Sequence, residues 1–350
     1  MSKLITQDKL LKINKILIIQ YKPFGDVLLN TGYLPALRAA FPEATIDYLV
    51  QKPYTTILEN NACIDNIIVM NKLKTGTLAY AADRLHLISR IRRENYDVVI
   101  DQARGPGAAE ITLFSGAQYR IGWHKTKKWS WFKGHNWVYN YRELKNHNIY
   151  SARAKFGLLR PLGIQEIPHN TYIHVLSESE NKVRNWLKQM GILNKSIAVF
   201  SPVTPIRKRQ WDFRRFAEVA DMVTEKYGFN VVLLWGPGEK KKVEHMASLM
   251  KNMPLVAPPT TFNEAAAMLK HARIYFGNNG GIHHLAVAVG TPTVTVFGPG
   301  TSPLKWVAWH MPQHTYLINS DLDEYTDGGF GVTPEMVFRE FERLMESGHI

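Results

Sequence analysis

The chain reads as an α/β protein made of two doubly wound halves, and three observations predict it. Two short apolar runs, residues 15–21 (KILIIQY) and 196–201 (SIAVFS), each open a strand, helix, strand succession. Residues 275–299 (YFGNNGGIHHLAVAVGTPTVTVFGP) read as strand, glycine-rich turn, helix and strand without interruption. With 350 residues and 45% hydrophobic content, the chain can bury two cores, each of roughly 150 residues.

Residues 1–12 form a short helical lead, and 15–21 is the first strand. Lys22-Pro23-Phe24-Gly25-Asp26 turns the chain into a helix over 27–41, with Leu28, Leu34 and Leu37 apolar, and 46–50 is the next strand. A βαβ opening of this kind takes a right-handed crossover. Further strands are expected at 64–70 and 98–101, with a helix at about 78–95 between them. The second half repeats the plan with a strand at 196–201, a helix at 213–227, a strand at 230–235 and helices at about 239–251 and 262–270.

In the 275–299 unit, Asn278, Asn279, Gly280 and Gly281 permit the positive φ angles and close backbone approach that an anion cradle needs. Ile282, Leu285, Ala286 and Val289 keep helical spacing, Gly290 ends the helix, and Pro292 blocks its continuation. Residues 293–297, β-branched and apolar, suit a buried parallel strand. Gly-Pro-Gly follows a short apolar run at 105–107, 236–238 and 298–300, marking loops at strand ends. The junction falls within 161–195, giving halves of 1–170 and 171–350. Thr333-Pro334-Glu335 supplies the cap, first residue and first-turn acid of a last helix at 333–347, a candidate to pack back on the first half. Two such halves are expected to face each other across a cleft, with ligands at the carboxyl ends of the strands.

Cys63 is the only cysteine, so intramolecular disulfides and cysteine-based metal sites are excluded and a reducing, cytoplasmic setting is expected. No apolar run approaches the ~18 residues of a membrane span, and 16–19 is too short for a signal peptide. The net charge of +13 implies acidic partners: nucleic acid, an anionic membrane surface or phosphorylated substrates. Basic residues between 120 and 155, among them Arg120, Lys125, Lys127, Lys128 and Lys133, interleave with Trp123, Trp129, Trp131 and Trp137. That mixture suits either a solvated loop or an acceptor surface at the headgroup zone of an anionic bilayer. No nucleic-acid reading module is present, and no GxGxxG follows the first strand, which argues against a nicotinamide dehydrogenase.

Gly25-Asp26 stands where the first strand hands over to the first helix, so Asp26 is either a first-turn acid or a general base for an acceptor hydroxyl. Arg207-Lys208-Arg209 follows the first strand of the second half, where it either neutralises a diphosphate or is simply solvated. Glu239, after Gly236-Pro237-Gly238, is placed to accept from ribose or sugar hydroxyls. Asp321-Leu322-Asp323 matches the DxD string of metal-dependent glycosyltransferases but lies in a late acidic loop, and His283-His284 has no further obvious ligands, so no metal is expected.

Together these segments resemble glycosyltransferase family 9, the heptosyltransferases that build the inner core of bacterial lipopolysaccharide. The resemblance rests on KILIIQYKPFGDVLLNTGYLPALRAAFPEATIDYLV, RQWDFRRFAEVA, LLWGPGE and GNNGGIHHLAVAVGTPTVTVFGP, in that order along most of the chain. It implies a GT-B fold of two Rossmann-like domains, an acceptor in the first, an ADP-sugar donor in the second, and inverting transfer without a metal or other cofactor. By position, Asp26 resembles the catalytic base and Gly25 belongs to its loop, while Lys22, Arg120 and Lys125 are candidate acceptor contacts. Thr204 resembles a phosphate-loop hydroxyl, Arg209 stands for the donor-phosphate lysine of a Lys-x-Trp pattern completed by Trp211, and Glu239 resembles the ribose acid. Gly280, Gly281 and His284 match the glycine-rich turn and its histidine, but Asn279-Gly280-Gly281 replaces the family's Asp-(Ser/Thr)-Gly. The expected partners are a nucleotide sugar, a lipopolysaccharide core acceptor and the cytoplasmic face of the inner membrane, with no nucleic acid. A different nucleotide sugar, or sugar-nucleotide binding without catalysis, stands as the alternative.

Overall fold

Ile16, Leu17, Ile18 and Ile19 are fully buried in the computed structural model, which describes residues 3–71, 76–103, 105–124, 136–166, 170–308, 310–319 and 329–350. A strand without a polar face needs cover on both sides, and this one lies inside a parallel sheet. The chain divides into two compact units, Met1–His174 and Val175–Ile350, a few residues beyond the division expected at 170.

The first unit holds six parallel strands: β1 (Lys15–Ile19), β2 (Thr45–Gln51), β3 (Asn66–Met70), β4 (Val98–Asp101), β5 (Tyr119–Trp123) and β6 (Tyr141–Glu143), in the order β3-β2-β1-β4-β5-β6. The second holds β7 (Ile197–Ser201), β8 (Asn230–Leu233), β9 (Leu255–Val256), β10 (Ile274–Asn278), β11 (Thr293–Val296) and β12 (His314–Leu317), in the order β12-β11-β10-β7-β8-β9. Both orders are the doubly wound Rossmann order. Each unit's first strand, β1 or β7, has neighbours reached from opposite directions, so the loops leaving β1 and β4, and those leaving β7 and β10, flank a topological switch point.

The structure departs from the sequence reading in several places. The helix expected over 27–41 is a helix at Phe24–Asn30, a 3-10 turn at Thr31–Tyr33 and a second helix at Leu34–Ala40. Gly32 weakens the helix there, and Pro35, at the start of the second helix, lacks the N–H that would continue the first. Part of the basic, tryptophan-bearing segment is core: β5 and β6 are strands, and Trp123 is buried, whereas Trp137 is exposed.

None of the residues 278–281 has a positive φ; Gly280 is extended, with φ −164° and ψ −175°. The expected left-handed glycine is Gly290, with φ 81°, directly after the helix Gly281–Ala288. The last helix, Pro334–Glu346, is capped by Thr333 as expected. Val337, Phe338, Phe341 and Leu344 are buried with Phe216, Val223 and Phe229 in the second unit's own core.

His314, on β12, pairs its Nδ1 with Thr293 Oγ1 at 3.2 Å. Burial, helped by the neighbouring His310, pushes its pKa down to about 3. His283 is displaced in the same direction by burial, then by His284 and His314. An unfolded histidine takes up its proton near pH 6.5, whereas folded His314 refuses it until about 3, so stability is full above 6.5 and drains away as pH falls through that window. The urea midpoint is therefore expected to fall between pH 7 and 4, and to fall less steeply in His314→Gln; equal slopes in the two proteins would refute the assignment.

Candidate active site

In the first unit, the candidate residues gather where the chain leaves β1 and β4. Asp26 is the third residue of the helix Phe24–Asn30 and its first-turn acid, and its side chain keeps 28% exposure. The Lys155 ammonium lies 3.1 Å from Asp26 Oδ1, and the lysine side chain is only 1% exposed. Lys155 ends the short helix Ser151–Lys155, and its carbonyl accepts from Gln102 Nε2, in the β4 loop, at 3.1 Å. Two loops of the switch point thus meet at one buried lysine. Beneath them, Asn30 Nδ2 donates to Tyr48 Oη at 2.8 Å, and burial raises the Tyr33 and Tyr48 phenols well above their usual range, keeping both neutral.

In the second unit, Asn278, the last residue of β10 and 3% exposed, ties the basic loop at both ends. Its Nδ2 donates to the Pro202 carbonyl at 2.7 Å, and its Oδ1 accepts from the Trp211 N–H at 2.8 Å. Trp211 is fully buried, with Nε1 donating to the Gly329 carbonyl at 3.0 Å and its ring edge-on to Phe216. Between these anchors Arg207–Arg209 forms a 3-10 turn. Gly298, after β11, presses on it: a Cβ there would lie 2.5 Å from the Lys208 carbonyl oxygen and 2.9 Å from Arg209 Cα.

Arg209 is half-buried, and its Nε is buried without a hydrogen-bond partner among the described residues; the same holds for Asn279 Nδ2. Unspent buried donors beside a strand end are costly unless something accepts from them. The helix that follows begins at Gly281, and the N–H groups of a helix's first turn have no partner within it. Around Gly280 the space is open, the nearest heavy atom to a Cβ there being the Asn278 carbonyl oxygen at 3.9 Å. Donors, a cation and room therefore converge at the carboxyl ends of β7 and β10, a constellation that suits a phosphorylated anion.

Of the expected residues, Asp26, Gly25 and Lys22 share the β1 turn, with Lys22 exposed. Thr204, Arg209, Asn279, Gly280, Gly281 and His284 belong to the β7 loop and to the end of β10 with the helix after it. Thr204 and His284 are buried there, and the His284 ring lies 5.9 Å from that of Trp306. Glu239 caps the helix Lys240–Leu249, its carboxylate folded back to accept from the Gly236 N–H at 2.8 Å.

Arg120 is not brought to Asp26. The second residue of β5, it registers with Val99, which registers with Leu17, below the carboxyl ends of the strands. Its guanidinium is spent on the Val138 and Ala117 carbonyls, at 2.7 and 3.0 Å. Lys125, Asp321 and Asp323 lie outside the described residues. Sequence reasoning missed Lys155 and the side-chain role of Asn278; the only sequence signal for the first is a lysine closing the basic segment.

Comparisons with known proteins bear on the family and the fold. The sequence model of glycosyltransferase family 9 (heptosyltransferase) matches residues 84–325. Lipopolysaccharide heptosyltransferase 3 of Escherichia coli (strain K12) is 27% identical over 294 residues, covering 81% of this chain and 82% of that protein. A solved glycosyl transferase family 9 structure from Veillonella parvula superposes with a TM-score of 0.81 at 19% identity, covering 95% of this chain and 97% of that one. An E. coli heptosyltransferase solved with ADP-2-deoxy-2-fluoro heptose gives 0.72 at 18% identity, covering 94% and 99%. The fold is thus GT-B, built from two Rossmann-like domains. With a family match across most of its length, the switch-point carboxylate in one unit and the anion-suited loops in the other, the chain belongs to glycosyltransferase family 9 and is a glycosyltransferase.

Proposed function

We propose that the protein transfers heptose from ADP-heptose to a lipopolysaccharide inner-core acceptor, with inversion and without a metal. The observation that carries the reading is Asp26, a partly exposed carboxylate at the β1 switch point backed by a buried ammonium. The reading is supported by the relatives, one named a lipopolysaccharide heptosyltransferase and another solved with an ADP-heptose analogue. In this mechanism Asp26 takes the proton of an acceptor hydroxyl as its oxygen attacks the anomeric carbon from the face opposite the diphosphate. The bond from that carbon to the phosphate oxygen breaks, and ADP departs. Arg209, Asn279 Nδ2 and the first-turn N–H groups at Gly281 receive the charge that builds on the leaving diphosphate, an electrostatic role that a metal fills elsewhere.

A carboxamide at Asn279 offers donors where a carboxylate would offer only acceptors, which favours the diphosphate over sugar hydroxyls as its partner. The net charge of +13 suits a phosphorylated acceptor and an anionic bilayer surface, and among the described residues no helix is long and apolar enough to cross a membrane. We place the work at the cytoplasmic face of the inner membrane, with no role for nucleic acid.

Two measurements test this. ADP and ADP-heptose are expected to raise the melting temperature, a ligand at a hundredfold its Kd adding about 2.7 kcal/mol, and UDP is expected to leave it unchanged. Stronger stabilisation by UDP would overturn the donor assignment. Transfer is expected to persist in EDTA; loss of turnover that a divalent cation restores would overturn the metal-free mechanism.

A further inference from the structure

We infer that Lys155 is a positioning residue for transfer: its buried ammonium holds the Asp26 carboxylate ionised and aimed, so the base works as a Lys155–Asp26 pair. The inference rests on the reading of Asp26 as the base.

A lysine side chain with 1% exposure is rare, because taking an ammonium out of water costs several kcal/mol unless an anion and hydrogen bonds compensate it. Here the anion is Asp26 Oδ1 at 3.1 Å. Buried as it is, Lys155 cannot itself grip an acceptor, whereas Asp26 reaches solvent. The positive charge therefore meets the reaction through Asp26.

The support around it is stiff. The Lys155 carbonyl is held by Gln102 of the β4 loop. The 3-10 segment Phe156–Leu162 that follows buries Phe156, Leu158 and Leu159. Among the described residues, Tyr48 of β2 feels the Asp26 charge, and burial keeps both it and the neighbouring Tyr33 of the 3-10 turn neutral. The Lys155 ammonium at 3.1 Å is the cation seen against the Asp26 carboxylate among the described residues. A merely structural pair behaves differently, because replacing a buried ion pair with an apolar side chain of similar size is often neutral or stabilising and leaves chemistry alone.

The test is the pH profile of kcat for Lys155→Met, with the wild type and Lys155→Arg beside it. Without the neighbouring cation the carboxylate holds its proton to higher pH, so the acid limb is expected to move up by about one unit or more. Below the displaced limb each unit costs tenfold, giving a loss of about 10- to 100-fold in kcat that closes as pH rises. KM for the acceptor and thermal stabilisation by ADP are expected to stay put. Lys155→Arg, which keeps the charge, is expected to keep the limb in place. Should the methionine variant fail to fold, Lys155→Gln reads the same limb.

An unmoved limb in a cooperatively melting, ADP-stabilised charge-free variant, or a rate loss equal at every pH, would overturn the inference. Asp26→Asn separates the two ideas. Full turnover in that variant removes the base reading and this inference with it, whereas an inactive Asp26→Asn beside an unmoved limb removes the Lys155 role alone.

Discussion

Asp26→Asn is expected to lower kcat by on the order of 10²- to 10⁴-fold while leaving ADP-dependent thermal stabilisation intact. The amide keeps the size of the side chain and can still accept a hydrogen bond, but it cannot take the proton of an attacking hydroxyl. The loops proposed to hold the donor belong to the second unit, Val175–Ile350, whereas Asp26 and the lysine beside it belong to the first. The substitution also removes the carboxylate opposite a buried ammonium. Breaking such a pair costs about 3–5 kcal/mol when fully buried, and less here, since Asp26 keeps 28% exposure. Measured stability is therefore expected to fall together with activity. Pairing Asp26→Asn with Lys155→Met tells the two losses apart, because the double variant should regain stability and remain inactive. Coupled release of ADP at the wild-type rate in the single variant would show that the proton goes elsewhere.

Asn278→Leu is expected to be the most damaging single change in the second unit. The leucine fills nearly the same space but leaves the Trp211 N–H and the Pro202 carbonyl without the partners they have now, at 2.8 and 2.7 Å. Each orphaned buried group costs about 1–3 kcal/mol, and both ends of the loop carrying Arg209 are released together. Unfolding of the second unit by urea, followed by circular dichroism, should shift accordingly, and stabilisation by ADP should vanish. Asn278→Asp, which keeps an acceptor for Trp211 and loses the donor to Pro202, should fall between. A leucine variant with native stability and native ADP response would show that the loop is held by other contacts.

Much of this architecture is legible in the sequence where secondary structure is local. The runs that became β1, β7 and β10 are apolar enough to announce burial, and the glycine and proline signals around residues 290–292 place the end of a helix correctly. β5 and β6 escape because Tyr119–Trp123 carries Arg120 in its middle and borders a cationic stretch, so that a buried strand reads as surface. The burial of β5 follows from pairing with β4 and that of β6 from pairing with β5, and no local pattern encodes those partners.

The site divides the same way. Asp26 stands out because it follows a strand and opens a helix. Lys155 does not, since a lysine in SARAK is ordinary until tertiary packing encloses it. The Asn-Asn-Gly-Gly turn reads in the sequence as a candidate anion-binding element, yet Gly280 is extended, Gly281 opens the helix and no left-handed residue occurs in it. What the first asparagine contributes is a side chain that reaches residues 202 and 211, distant in sequence and adjacent only once β7 and β10 have paired.

Gly298 shows how little chemistry is needed to fix a charge in space. The volume that a methyl group would claim there is occupied by the Lys208 carbonyl and the Arg209 Cα. The location of the guanidinium is thus encoded partly by an atom the chain does not have. Any side chain at this position would displace the cation while altering no charged residue, so a scan of ionisable groups alone would overlook a place where the proposed phosphate contact is easily disturbed.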